Sequence, residues 1–291
     1  MNRAFFYILL GAVLWGTIGW YVKNLYYFGF TPMEVVTLRV VTTAFLLVAY
    51  VLLTSPKSLK LRSFSDVKYF IGTGIFSIIF FNYCLFTAIE LSTIPFATAL
   101  LYTAPAFVTI FSIFLFNEKP TRRKLISLVI TFIGICLIVK LIPFSKSAIS
   151  LGSILFGLGS GLGYACYSIF SKYALNKYSS LSITTFTFIV ASIVLLPFFP
   201  YEEKFYLVTD PPVLFYVIGL GLLPTALAYI VYTTGLNQTE ASKASILTTI
   251  EPVVATLIGI LVFQEVFTKL QILGLFSIIC AVISIKNSDN S

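Results

Sequence analysis

Histidine is absent from these 291 residues. Imidazole general acid–base catalysis, imidazole metal ligation and histidine proton relays are therefore excluded. Charge is scarce as well: Asp, Glu, Lys and Arg make up 10% of the chain, against about 25% in an ordinary globular protein. So little polar material cannot cover a water-soluble body of this size. The four cysteines, Cys84, Cys136, Cys166 and Cys280, lie apart in apolar stretches without a CxxC or metal-ligand spacing. That pattern excludes a secreted disulfide framework and a cysteine zinc site, and the four read as small buried residues. No metal and no cofactor are expected. What the chain does have is 58% hydrophobic residues, including 29 Phe and 17 Tyr, and a mean hydropathy of +0.99. The solvent for most of its surface is a lipid bilayer.

A membrane-crossing helix needs about 20 mostly apolar residues. That ruler predicts ten spans, at 4–22, 35–53, 69–89, 94–116, 124–142, 151–171, 181–199, 213–235, 243–263 and 269–285. The connections between them are too short for a soluble domain. The first span resembles a secretory leader, but Trp20, Tyr21, Lys23, Tyr26 and Tyr27 follow it in place of a cleavage site. It reads as a retained helix ending in an aromatic belt.

The net charge of +8 is an orientation signal. With the N-terminus in the cytoplasm, thirteen Lys and Arg fall in cytoplasmic connections, and five (Lys23, Lys140, Lys146, Lys204 and Lys269) fall outside. The bias places both termini in the cytoplasm of a multi-pass cell-membrane protein and argues against nucleic-acid binding.

At a shift of 147 the chain matches itself: Ala97 with Ala244, Leu100 with Leu247, Pro105 with Pro252, Thr109 with Thr256, Phe116 with Phe263, Glu118 with Glu265, and Thr121 with Thr268. At a shift of 149, Lys23 meets Lys172 and Trp15 meets Tyr164. Two repeats are implied, over 4–142 and 151–286. Each holds five spans, an odd number, so the second enters the membrane inverted. Inverted repeats recur in secondary transporters, with the substrate site near the midplane.

Several motifs carry a family resemblance. Leu14-Trp15-Gly16, Leu38-Arg39, the Pro105 segment with Phe116-Asn117-Glu118, and Glu251-Pro252 with Phe263-Gln264-Glu265 resemble the EamA repeats of the drug/metabolite transporter superfamily across nearly the whole chain. Asn117 and Gln264 stand where that family commonly has glycine. The resemblance implies ten helices around a central cavity and transport of small metabolites, amino acids foremost. Other members of the family carry amines, nucleotide sugars or lipid-linked groups.

Glu251 lies mid-span, where a carboxylate costs about 2.5 kcal/mol or more. Pro252 removes an amide, which is expected to free the Thr248 carbonyl one turn earlier. Glu251 with Thr248 then forms a site for a substrate ammonium or for a coupling proton; the alternative is a structural carboxylate. Arg39 reads as a snorkelling or ion-paired residue, or as a clamp for a substrate carboxylate. Trp15, Tyr83, Tyr102, Tyr167 and Tyr229, with Asn82, are candidate cavity-wall residues; each singly also fits plain packing. Pro105 and Pro252 are candidate hinges. Gly157 with Gly161, and Gly159 with Gly163, read as small-residue packing faces rather than a phosphate loop. Glu118, Glu265 and a Thr268/Gln271 capping box read as structural.

The sequence-level conclusion is an all-α membrane protein of ten helices in two inverted five-helix repeats. Its predicted activity is alternating-access export of amino acids or similar amphipathic metabolites, as a monomer or homodimer. An intramembrane enzyme is disfavoured, because no histidine can activate a nucleophile and no paired aspartates or zinc ligands exist.

Overall fold

The computed structural model describes residues 3–141, 150–264 and 268–286. Residue 142, Lys146 and Glu265, which figure in the sequence reading, lie outside the described residues. Regular structure among the described residues is entirely helical. Eight helices are long and apolar enough to cross a membrane: α1 (Arg3–Tyr27), α2 (Pro32–Thr54), α3 (Phe64–Glu90), α4 (Ile94–Phe116), α6 (Leu151–Ala174), α7 (Ser180–Phe198), α8 (Pro211–Asn237) and α9 (Ala241–Phe263). Two more, α5 (Arg122–Ile138) and α10 (Lys269–Lys286), hold 17 and 18 residues. At 1.5 Å per residue each is about 26 Å long, short of the ~30 Å hydrocarbon core. A short helix, Tyr201–Val208, precedes α8.

Hydroxyl caps set where these helices begin. Thr31, Thr93, Thr121, Ser150 and Ser179 each accept a backbone N–H from the first turn that follows, which satisfies a donor no helix can pair internally. Thr31 and Glu34 form a reciprocal capping box, as do Thr268 and Gln271. Large apolar side chains point outward: Phe45, Phe114, Phe198 and Leu261 are 72–80% exposed. Lipid is the solvent such a surface needs. Inside, buried hydroxyls turn back onto their own helix, as Thr43 does to the Arg39 carbonyl and Thr187 to that of Ile183.

Small residues set the closest helix contacts. A Cβ on Gly161 would lie 2.9 Å from the Leu100 carbonyl oxygen of α4, and one on Gly163 would lie 2.9 Å from the Phe81 Cα of α3. The two glycine faces of α6 thus receive two different helices. The antiparallel pair α5/α10 closes in the same way where Gly134 meets Gly274, and Gln271 donates to the Ile138 carbonyl there at 2.9 Å.

Local irregularities recur at matching places in the two halves. Wide π-type turns occupy Gly72–Phe80 in α3 and Leu222–Leu227 in α8. In the second of these, Pro224 lacks the amide that would pair with Leu220, and the Thr225 hydroxyl donates to that carbonyl instead, at 2.7 Å. Helix α4 breaks at Tyr102–Thr103 and α9 tightens at Thr248–Ile250, each just before its proline. Thr109 and Thr256 donate to the Pro105 and Pro252 carbonyls at 2.8 and 2.7 Å. Asn117 and Gln264 both terminate their helices at positive φ, 55° and 53°. Asparagine tolerates that conformation and glutamine does so poorly. Gln264→Gly is therefore expected to stabilise the protein by about 1 kcal/mol, read as a higher melting temperature in detergent; Asn117→Gly should gain less.

Candidate functional site

A cavity of about 270 Å³ runs from Trp15 and Glu251 to Tyr26 and Pro32, where α1 connects to α2. Its walls come from α1, α2, α3, α4, α6, α8 and α9, and they are mostly apolar, with Val22, Val35, Leu85 and Phe86 among them. Against that lining stand a few polar groups: Glu251, Arg39, Asn82, Trp15, Tyr164 and Tyr229.

Glu251 starts the second segment of α9, immediately before Pro252. The Tyr164 hydroxyl donates to its carboxylate at 3.0 Å, and Tyr102 is a second hydroxyl neighbour of the same group. Two phenols are a modest replacement for water around a half-buried carboxylate, so a cationic partner would be stabilised there. Arg39 projects into the cavity from α2. It is 7% exposed, and its Nε has no hydrogen-bond partner. No carboxylate lies within ion-pair distance of it among the described residues, and Glu34 is engaged in its capping box. An unpartnered donor on a buried residue is costly unless a ligand takes it. Trp15 Nε1 is likewise buried and unpartnered. The cavity thus holds one carboxylate, and two of the residues lining it keep a buried donor without a partner.

Its floor is an aromatic layer. The Trp15 ring packs on Tyr229 at 5.1 Å and on Tyr232 at 5.0 Å, and Tyr167 packs edge-on against Tyr229 at 4.7 Å. Tyr167 and Thr233 share a hydrogen bond of 2.8 Å, and Ser168 and Tyr232 one of 2.6 Å. Only about 10 Å³ of space remains among these rings, barely room for one water.

Beyond that floor the two halves are tied together. Glu118, at the end of α4, accepts the backbone N–H groups of Ala241 and Ser242 at 2.6 and 3.1 Å, and the Ser242 hydroxyl as well. One half therefore caps the first turn of α9 in the other. Lys124, 1% exposed, sits between Glu118 at 3.8 Å and Glu240 at 3.0 Å. Burial works against ionisation of Glu240, but hydrogen bonds and charge from Lys124 and Lys243 hold its carboxyl below the usual range. Lys172 closes the same end by donating to the Leu236 and Thr239 carbonyls at 2.8 and 2.5 Å.

Of the residues singled out in the sequence, Trp15, Arg39, Asn82, Tyr229 and Glu251 line the cavity. Tyr102 neighbours Glu251 outside the lining, and Tyr167 belongs to the aromatic floor. Two expectations need correction. Tyr83 is 55% exposed and packs against Phe156 on the outer surface, because the α3 helix turns its neighbour Asn82 inward instead. Thr248 does not reach the cavity: its hydroxyl donates to the Ser245 carbonyl at 2.7 Å, and its own carbonyl accepts the Glu251 N–H. The tightening at Thr248–Ile250 re-pairs the acceptor that Pro252 was expected to leave free. Tyr164 is the cavity residue omitted from the predicted wall. Its place opposite Trp15 at the 149 shift was the available signal. Pro105 and Pro252 do sit at the two helix interruptions.

Membrane-length helices around a one-sided cavity with a few buried polar groups define the class of membrane transport proteins. A model of the EamA-like transporter family matches the chain twice, over residues 2–140 and 151–286. The chain belongs to that family. It is 31% identical to an uncharacterized transporter of Archaeoglobus fulgidus over 95% of this chain and 93% of that protein. It is 23% identical to the uncharacterized inner membrane transporter YicL of Salmonella typhimurium, over 96% and 93% of the two chains. A solved crystal structure superposes with a TM-score of 0.79 at 15% identity, covering 98% of this chain and 96% of its own; that likeness concerns the fold.

Proposed function

We propose that this transporter carries a small zwitterion with an apolar side chain, an amino acid or a close analogue, held between Glu251 and Arg39. The observation behind this reading is the pair of unpartnered buried donors, Arg39 Nε and Trp15 Nε1, on residues that line the same cavity as the Glu251 carboxylate. A substrate carboxylate would satisfy the donors, and its ammonium would face Glu251 and the aromatic rings around it. At about 270 Å³ the cavity lies just below the range of ligand pockets, roughly 300–1,000 Å³. That size favours such a substrate over nucleotide sugars or lipid-linked groups.

Helices α5 and α10 are the fifth and tenth membrane crossings in this reading. Residues 4–142 and 151–286 are then inverted five-helix repeats, and both termini are cytoplasmic. With that orientation the cavity opens outward and the Glu118 cluster closes the cytoplasmic side. Exchange of the two packings, bending at Pro105 and Pro252, would open the other face and deliver alternating access. When the ammonium leaves, Glu251 takes up a proton, which couples export to the proton gradient.

A second reading, transport of an organic amine, is favoured by the Trp15, Tyr164 and Tyr229 rings beside Glu251, which suit a cation. Arg39→Gln separates the two. It should weaken binding of an apolar amino acid to the purified protein about 30-fold, the loss of one charge-assisted interaction, and spare cationic amines. Amino-acid binding untouched by Arg39→Gln would leave the zwitterion reading without its carboxylate clamp.

A further inference from the structure

A polar cavity of about 230 Å³ lies between the α2–α3 and α6–α7 connections, remote from Glu251. Lys57, Lys60 and Arg62 line it from the first connection and Lys177 from the second, with the Ser58 and Ser182 side chains between them. Its wall is built rather than incidental. The Tyr178 hydroxyl accepts the Arg62 N–H at 2.8 Å and donates to Asp66 at 2.9 Å. Asp66, 1% exposed, also binds Lys177 at 2.7 Å. That contact holds the Lys177 ammonium above its usual pKa.

The charge balance decides what such a cavity can take. Asp66 is matched by Lys177. Lys57, Lys60 and Arg62 have no carboxylate within ion-pair distance among the described residues. Three exposed, uncompensated cations lining one cavity together with hydroxyls are a donor set suited to phosphate. Leu61 and Phe64, flanking Arg62, are 38% and 88% exposed. Apolar side chains beside cations at a helix end suit a membrane interface, where phosphate groups are concentrated.

We propose that this cavity binds a phosphate group, presented either by an anionic lipid headgroup or by a soluble phosphate compound. The site bridges a connection of the first half and one of the second, so its occupant would tie the two halves together at this end. The inference does not depend on the nature of the transported substrate.

The test follows melting of the purified full chain at fixed, low salt against two probes, short-chain phosphatidylglycerol and inorganic phosphate; a ligand of the folded state raises the melting temperature. The expected result is stabilisation by at least one probe, weakened about 30-fold by Lys57→Gln with Lys60→Gln, at roughly a threefold to tenfold loss per cation. Removing the same charge elsewhere, by Lys119→Gln with Arg122→Gln, should leave binding within about threefold of wild type. This pattern with phosphatidylglycerol alone assigns the lipid source, and with inorganic phosphate it assigns the soluble one. Should the double variant fail to fold, Lys57→Gln alone carries the test with about a fivefold loss. Stabilisation by neither probe, or equal losses in the pocket and control variants, overturns the proposal.

Discussion

Replacing Glu251 with glutamine is expected to abolish gradient-driven transport while leaving the protein folded. Glutamine keeps the shape of the side chain and an oxygen to accept the Tyr164 hydroxyl, which bonds Glu251 at 3.0 Å. What it removes is the negative charge, the one group in the cavity able to hold an ammonium or to take up a proton. A charge-assisted hydrogen bond contributes about 2 kcal/mol, so affinity for a zwitterion should fall about 30-fold. Uptake into proteoliposomes should also lose its dependence on a pH gradient. Glutamine is cheaper than glutamate in an apolar interior, so the melting temperature should stay level or rise. A variant that still concentrates substrate with unchanged pH dependence would show that Glu251 is structural.

Glu118→Ala should produce the largest stability effect. Glu118 is 8% exposed and accepts three donors from the start of α9. Truncation leaves Ala241 and Ser242 amides without their cap, and leaves buried Lys124 with Glu240 as its remaining carboxylate. Breaking a buried charged cluster on one side typically costs 3–5 kcal/mol; because Glu240 persists, about 3 kcal/mol is expected here. The loss falls on contacts between the halves at the closed end, so it should also shift the conformational balance toward opening there. A cysteine placed at Ser245, in a background with the four native cysteines replaced, should then react faster with a water-soluble maleimide. A global loss of stability shows instead as a lower melting temperature with no gain in labelling.

Much of this was legible in the sequence because the bilayer imposes simple rules. Helix length follows from the hydrocarbon thickness, and a lone mid-span carboxylate or guanidinium must face something polar. Those two constraints alone point to the helices and to Glu251 and Arg39. The inward or outward direction of aromatics was much less legible. A helix that is apolar all round carries little sign of which face is inside, so Tyr83 was expected in a wall that Asn82 and Tyr164 supply. Backbone adjustments were also hidden. The tightened turn at Thr248–Ile250 re-pairs the carbonyl that Pro252 would otherwise free, a local adjustment with no signature in residue type. Glu118 was readable as a helix-end residue. Its capping of a helix in the other half is a tertiary fact, although its match with Glu265 hinted at a shared role.

The most direct test of the central claim is equilibrium binding of three compounds to the purified wild-type protein: an apolar amino acid, its methyl ester and its N-acetyl derivative. The ester lacks the carboxylate meant for Arg39 and Trp15, and the acetylated compound lacks the ammonium meant for Glu251. The zwitterion account predicts that the parent binds and that each derivative binds at least about 10-fold more weakly. Equal affinity for all three, or no binding of the parent, would contradict it.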